Sequence, residues 1–189
     1  MGRRFGQVSF LDSSNFGSKL VHEGLPMPPH GRAEVERAVK WPLEPTRSAI
    51  QAWGLQWVRT VILPEALPIQ GMPGKFRHTI NVHQIATVPL KLALADIHEA
   101  GLWTTLGRFG GDWEVRRITG GTLPSMHAYG LAFDFDPDFN ARGKEAQDTI
   151  LGGTENGRRV VEIFSSWGFK SGGTFNVPDY MHEQFATGC

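Results

Sequence analysis

Apolar residues recur at helical spacing in several stretches and alternate in one. Between Arg47 and Thr60, Ile50, Trp53 and Trp57 fall three and four apart, which predicts a helix with its tryptophans packed into the core. A second helix is predicted over Gly31 to Lys40. The clearest runs from Thr87 to Ala100: Pro89 falls in its first turn, Leu90, Leu94 and Ile97 form one stripe, and Gly101 stops it. Asn156 to Trp167 repeats the pattern, with Val160, Ile163, Phe164 and Trp167 on one side and Gly168 after them. Gly130 to Asp136 instead alternates, Leu131, Phe133 and Phe135 against Ala132, Asp134 and Asp136, so it reads as a strand with an aromatic buried face and an acidic face turned to something polar. Gly173 to Val177 reads as a last extended segment before Pro178.

Short strands mixed with helices, without regular βαβ alternation, predict an α+β fold. Pro26, Pro28, Pro29, Pro42, Pro45, Pro64, Pro68 and Pro73 punctuate the first 74 residues, so few long regular elements are expected there. Residues 1–74 are therefore read as an N-terminal extension of unassigned role and 75–189 as the domain that carries the chemistry. No internal repeat is visible.

Composition narrows the partners. The chain has 189 residues, and its 19 Lys and Arg balance 19 Asp and Glu, so no global field favours nucleic acid or an anionic membrane surface. Recognition must come from a local site. The single cysteine, Cys189, excludes an intrachain disulfide. The basic start, Met1 to Gln7, runs into Asp12, Ser13, Ser14 and Asn15 without the apolar stretch of a secretory signal. No run approaches the roughly 20 apolar residues of a spanning helix, so no membrane insertion is expected. If the substrate lies outside the membrane, another agent delivers the protein.

The chemistry concentrates in two places. Ser125-Met126-His127-Ala128-Tyr129-Gly130-Leu131-Ala132-Phe133-Asp134 sets an imidazole before a glycine and a carboxylate on the polar face of the next strand. His182 follows Asp179 by three residues, after Gly172-Gly173 and Pro178. His127, Asp134 and His182 form a nitrogen and oxygen donor set suited to Zn2+, with the fourth tetrahedral position left for water. Amide hydrolysis also needs a proton acceptor, for which Asp179 is the candidate, and Arg116 or Arg117 offers donors for a substrate carboxylate or an oxyanion.

These residues carry a resemblance. Ser-x-His-x-x-Gly-x-Ala-x-Asp at 125–134, followed by Gly172-Gly173 and Asp-x-Met-His at 179–182, resembles the D-Ala-D-Ala carboxypeptidase and L-alanyl-D-glutamate endopeptidase family, which includes VanX- and VanY-like enzymes and phage endolysins. The likeness runs from about Asn81 to Phe185, and Phe109-Gly110-Gly111 through Arg116 to Gly120-Gly121 is similar to phage-type members. The resemblance implies a compact domain with a central antiparallel sheet flanked by helices, zinc on His127, Asp134 and His182, Asp179 as general base and Arg116 as the anion-binding arginine. It implies hydrolysis of a peptidoglycan stem-peptide amide, between L-Ala and D-Glu in the endolysin type or at D-Ala-D-Ala in the carboxypeptidase type, by a protein made in the cytoplasm that reaches the wall after release, as in phage, or by an unknown export route. One departure stands out: the family usually places an aromatic after its final histidine, where this chain has Glu183.

Other readings compete. Ser125 contacts substrate, orients His127 or caps backbone; Tyr129 lines the cleft; Trp167 joins the core. His22, His30, His78, His83 and His98 lack ligand-like company. Asp134, Asp136, Asp138, Asn140 and Glu145 occupy positions 1, 3, 5, 7 and 12 of a calcium loop, but Phe139 stands where that loop turns on glycine and Pro137 stiffens it. A module that binds metal or cell wall without catalysis, as in a phage particle, is the alternative from another class.

Overall fold

A computed structural model describes residues 15–189; the basic start and the polar stretch to Ser14 lie outside them. Three helices come first, α1 (Ser18–His22), α2 (Arg32–Ala38) and α3 (Arg47–Trp57). The Thr46 hydroxyl caps α3 by accepting from Ala49 N–H at 3.2 Å. This helix ends earlier than its periodicity suggests, because Val58 already enters a strand.

Strands β1 (Val58–Ile69) and β2 (Met72–His83) form a long antiparallel hairpin. The prolines that argued against regular structure sit where the ladder is irregular. Pro64 lies in the pairing shift between Ile62 and Leu67, Pro68 borders a second shift, and Pro73 follows the turn at Gly71. A missing N–H costs least at such breaks, so twelve-residue strands accommodate them. The boundary expected after residue 74 falls within this hairpin.

Helix α4 (Gln84–Glu99) begins three residues before the expected start because the His83 ring caps it, accepting from Ile85 N–H at 3.3 Å. Pro89 consequently lies beyond the first turn and leaves the Ile85 carbonyl without its ladder bond. Strands β3 (Phe109–Gly111) and β4 (Ala132–Phe135) follow, then α5 (Ile150–Gly153), α6 (Glu155–Ser166), β5 (Lys170–Gly172) and β6 (Asp179–Gln184). The extended segment expected over Gly173 to Val177 is a turn, in which Thr174 and Phe175 N–H donate to the Ser171 and Gly172 carbonyls. The strands flanking it are β5 and β6.

The six strands order as β2-β1-β3-β4-β6-β5, antiparallel throughout except where β1 meets β3 at Ile69 and Phe109. Helices flank this sheet, giving the compact α+β architecture that the pattern predicts. Alternation in β4 divides its neighbourhood. Phe133 and Phe135 pack against Phe164 of α6 at ring distances of 5.5 and 6.0 Å, with Phe169 against Phe133 at 5.4 Å, while Asp134 faces the other way. No described helix is long and apolar enough to cross a membrane.

Candidate metal centre

Register brings the first two polar groups together: β4 pairs with β6 so that Asp134 lies opposite His182. His127 reaches them from the loop before β4, which turns back at Gly130 with φ of +65°. A side chain there would also run into the His83 backbone nitrogen, so this glycine serves both conformation and close approach. His127 Nε2 stands 3.2 Å from Asp134 Oδ1 and 3.2 Å from His182 Nδ1, and His182 Nδ1 stands 3.1 Å from the same carboxylate oxygen. All three residues are buried, with ligand atoms within 4.8 Å of one another.

The outer ring nitrogens decide what this cluster can hold. His127 Nδ1 lies 2.8 Å from the Asp112 carbonyl, so it carries the proton and donates. His182 Nε2 lies 3.1 Å from Gln184 Oε1, and Gln184 Nε2 donates to the Ala186 carbonyl at 3.0 Å, which fixes that amide with its oxygen towards the ring. Both outer nitrogens are thus N–H donors, and the inner nitrogens present lone pairs to a carboxylate. Three acceptors facing one another need a cation between them, so the donor set fits a divalent metal. With protons in place of a metal at the inner positions, burial still works against ionisation of Asp134, but donation and charge from His127 and His182 outweigh it and hold this carboxyl well below the usual range.

Asp179 is brought towards His182 through an irregularity. On β5, Ser171 pairs with Glu183 while the next residue, Gly172, pairs with Asp179, so β6 carries extra residues there. A Cβ on Gly172 would lie 3.1 Å from the Asp179 Cβ and 3.2 Å from the His182 Cβ, and the two side chains therefore leave the backbone around the same glycine. Strict alternation would have put them on opposite faces. Asp179 Oδ1 is buried and accepts no hydrogen bond, and burial pushes the carboxyl up, with His182 opposing and Asp134 adding to the shift.

Arg116 is held by Glu114 at 3.1 Å and comes within 4.0 Å of Asp134 Oδ2. Arg117 pairs in an isolated bridge with Pro124. Ser125 is buried, its hydroxyl accepting from His127 N–H at 3.3 Å, so of its expected roles the structure shows the backbone contact. Tyr129 corrects an expectation: it lines no cleft. The residue is fully buried, its ring packs edge-on to Trp41 at 4.7 Å, and its hydroxyl donates to Glu36 and accepts from Arg32 at 2.8 and 2.9 Å. Trp167 is in the core, as expected.

The calcium-loop spacing is not realised. Asn140 is buried, bonding the Phe135 carbonyl and Leu151 N–H, and Asp138 pairs with Arg108 at 2.9 Å. Among the described residues, His127, Asp134 and His182 are the one group close enough to share an ion. Sequence reasoning missed Asp112 and Gln184. Asp112 acts on His127 through a backbone carbonyl, which every residue type offers, whereas Gln184 is two residues beyond His182 on a strand and period-two alternation alone would have found it.

No curated protein and no solved structure matches the chain. Residues 119–185, a little over a third of the chain, match the model of a family described as D-alanyl-D-alanine carboxypeptidase. That stretch contains His127, Asp134 and His182, the group that could hold a metal ion, together with Asp179.

Proposed function

We propose that the chain hydrolyses an amide bond in peptidoglycan stem peptides, using Zn2+ held by His127 Nε2, Asp134 Oδ1 and His182 Nδ1. The observation that carries this reading is the convergence of two imidazole nitrogens and a carboxylate oxygen, 3.1 to 3.2 Å apart and buried, near a carboxylate whose Oδ1 has no hydrogen-bond partner. A zinc ion there supplies Lewis acidity towards the scissile carbonyl and lowers the pKa of water in its open position. Asp179 takes a proton from the attacking water and returns it to the departing amine. Its upward-shifted carboxyl suits a group that must both accept and release that proton. Arg116 offers guanidinium N–H groups to negative charge on the carbonyl oxygen or to a substrate carboxylate, and its contact with the Asp134 side favours it over Arg117.

The finer reading is an endolysin-type endopeptidase cutting between L-Ala and D-Glu, motivated by the likeness of the Phe109 to Gly121 stretch to phage-type members. In that case the protein is made in the cytoplasm and meets the wall on release. The description of the matched family favours a second reading, removal of terminal D-Ala. Mass spectrometry of purified muropeptides after digestion distinguishes them: new amino termini on D-Glu support the endopeptidase, loss of one D-Ala supports the carboxypeptidase. Saturable wall binding without release of amino groups, with zinc present, would overturn both in favour of a binding module.

A further inference from the structure

Asp112 follows β3 directly and ties β2 to His127. Its carboxylate accepts from the Arg77 guanidinium at 2.8 Å and from Asn81 N–H at 2.7 Å, both on β2. Its own backbone carbonyl accepts from His127 Nδ1–H at 2.8 Å. The next two residues close the same join, Trp113 Nε1–H donating to the Ala128 carbonyl at 3.2 Å and Glu114 N–H to the His127 carbonyl at 3.3 Å. Arg77 is itself constrained: its Nε donates to the Thr79 carbonyl at 2.7 Å and its guanidinium lies 5.0 Å from the Phe109 ring centre.

A carbonyl on a loop can turn with its peptide plane, and the imidazole bonded to it would turn too. Two charge-assisted anchors on the side chain of that residue remove the freedom. We propose that the Arg77–Asp112 pair is a positioning device for His127, fixing the Asp112 carbonyl so that the ring keeps its Nδ1–H tautomer and aims a bare Nε2 at Asp134 and His182. The proposal rests on the metal-centre reading above. Arg77 and Asp112 lie outside the stretch that the family model covers, so this support comes from the β1–β2 hairpin and the β3 end.

The test uses the full chain with Arg77→Gln, Arg77→Lys, Asp112→Asn and Asp112→Ala, each checked for folding by circular dichroism. Two quantities are read: affinity for zinc by chelator competition, and the His127 tautomer in metal-free protein by long-range proton–nitrogen NMR, assigned by its loss in His127→Asn. Partners of this kind typically affect metal affinity about 10- to 100-fold, and Arg77→Gln and Asp112→Asn are expected to weaken zinc by at least the lower figure and to mix the tautomers. Arg77→Lys, which keeps a cation, should recover part of the loss. Asp112→Asn retains an acceptor for Asn81 N–H and serves if Asp112→Ala does not fold. Wild-type zinc affinity and an unchanged tautomer in folded Arg77→Gln and Asp112→Asn would overturn the proposal alone. Failure of the wild-type chain to bind zinc would overturn it together with the metal-centre reading.

Discussion

Asp134 and His182 face each other across the β4–β6 ladder, and a slip of one residue would bring Phe133 or Glu183 into their place. The donor set therefore depends on strand register, and register is held by the aromatic packing of Phe133 and Phe135 on the opposite face. Asp179 sits outside that alternation and can be changed without disturbing it. Asp179→Asn should lower peptide release about 10²- to 10⁴-fold, the usual contribution of a positioned acid–base group, while zinc affinity stays near wild type. His127→Ala should lose both. Assays of amino-group release alongside chelator competition separate the two losses, and an active Asp179→Asn protein would remove that residue from the mechanism.

Gly172 is the point around which Asp179 and His182 pack. A methyl group there would meet the Asp179 backbone oxygen at 2.5 Å, closer than atoms tolerate, so β6 must move. Gly172→Ala should reduce zinc affinity and activity together, unlike Asp179→Asn. Retention of both would show that the β5–β6 join has slack the structure does not display.

Glu183 points away from the site, on the same strand face as Phe133 and Ser171. It is fully buried and neither carboxyl oxygen accepts a hydrogen bond; burial pushes its pKa well up, against a smaller opposing influence of the Ser171 hydroxyl. A raised carboxyl pKa means that the contribution of Glu183 to stability declines as pH rises above about 4.5, where the unfolded chain ionises and the folded chain resists. Glu183→Met should stabilise by about 1–3 kcal/mol at pH 7, and its advantage should grow with pH. Urea midpoints between pH 4 and 8 check this; a gap that is constant with pH would mean that Glu183 does not titrate as inferred.

His83 has the opposite sign. It lies between Trp53 and Trp57, with ring centres at 5.5 and 6.1 Å, and burial lowers its pKa from 6.5 to about 4, opposed by the nearby Val39 carbonyl and helped by Arg59. Folding favours the neutral ring, so this contribution is present above about pH 6.5 and is lost as pH falls towards 4, by up to about 3 kcal/mol. His83→Asn keeps a capping oxygen for α4 and removes the titration. Denaturation midpoints of the two proteins should converge as the pH drops through that window; parallel curves would contradict the inference.

The cluster of His127, Asp134 and His182 was legible because its members lie in two short strings, Ser125 to Asp134 and Asp179 to His182. The β4 strand and the helices α4 and α6 were legible because one face of each is apolar at a clear period. The β1–β2 hairpin was not, because Pro64, Pro68 and Pro73 speak against strands when nothing reveals where the ladder breaks. Tyr129 was misplaced for a related reason: its neighbours in sequence are site residues, but its hydroxyl is taken by Arg32 and Glu36, nearly a hundred positions away. Long-range pairs of that kind leave no local pattern.

Strands β1, β2 and β3 all precede the stretch that the family model matches, and β4, β5 and β6 lie inside it. The recognisable portion is consequently half of a sheet. Excised by itself it would expose the β4 edge and release the His127 loop from its moorings, so anyone transplanting this chemistry into another protein must carry along at least the hairpin that begins at Val58.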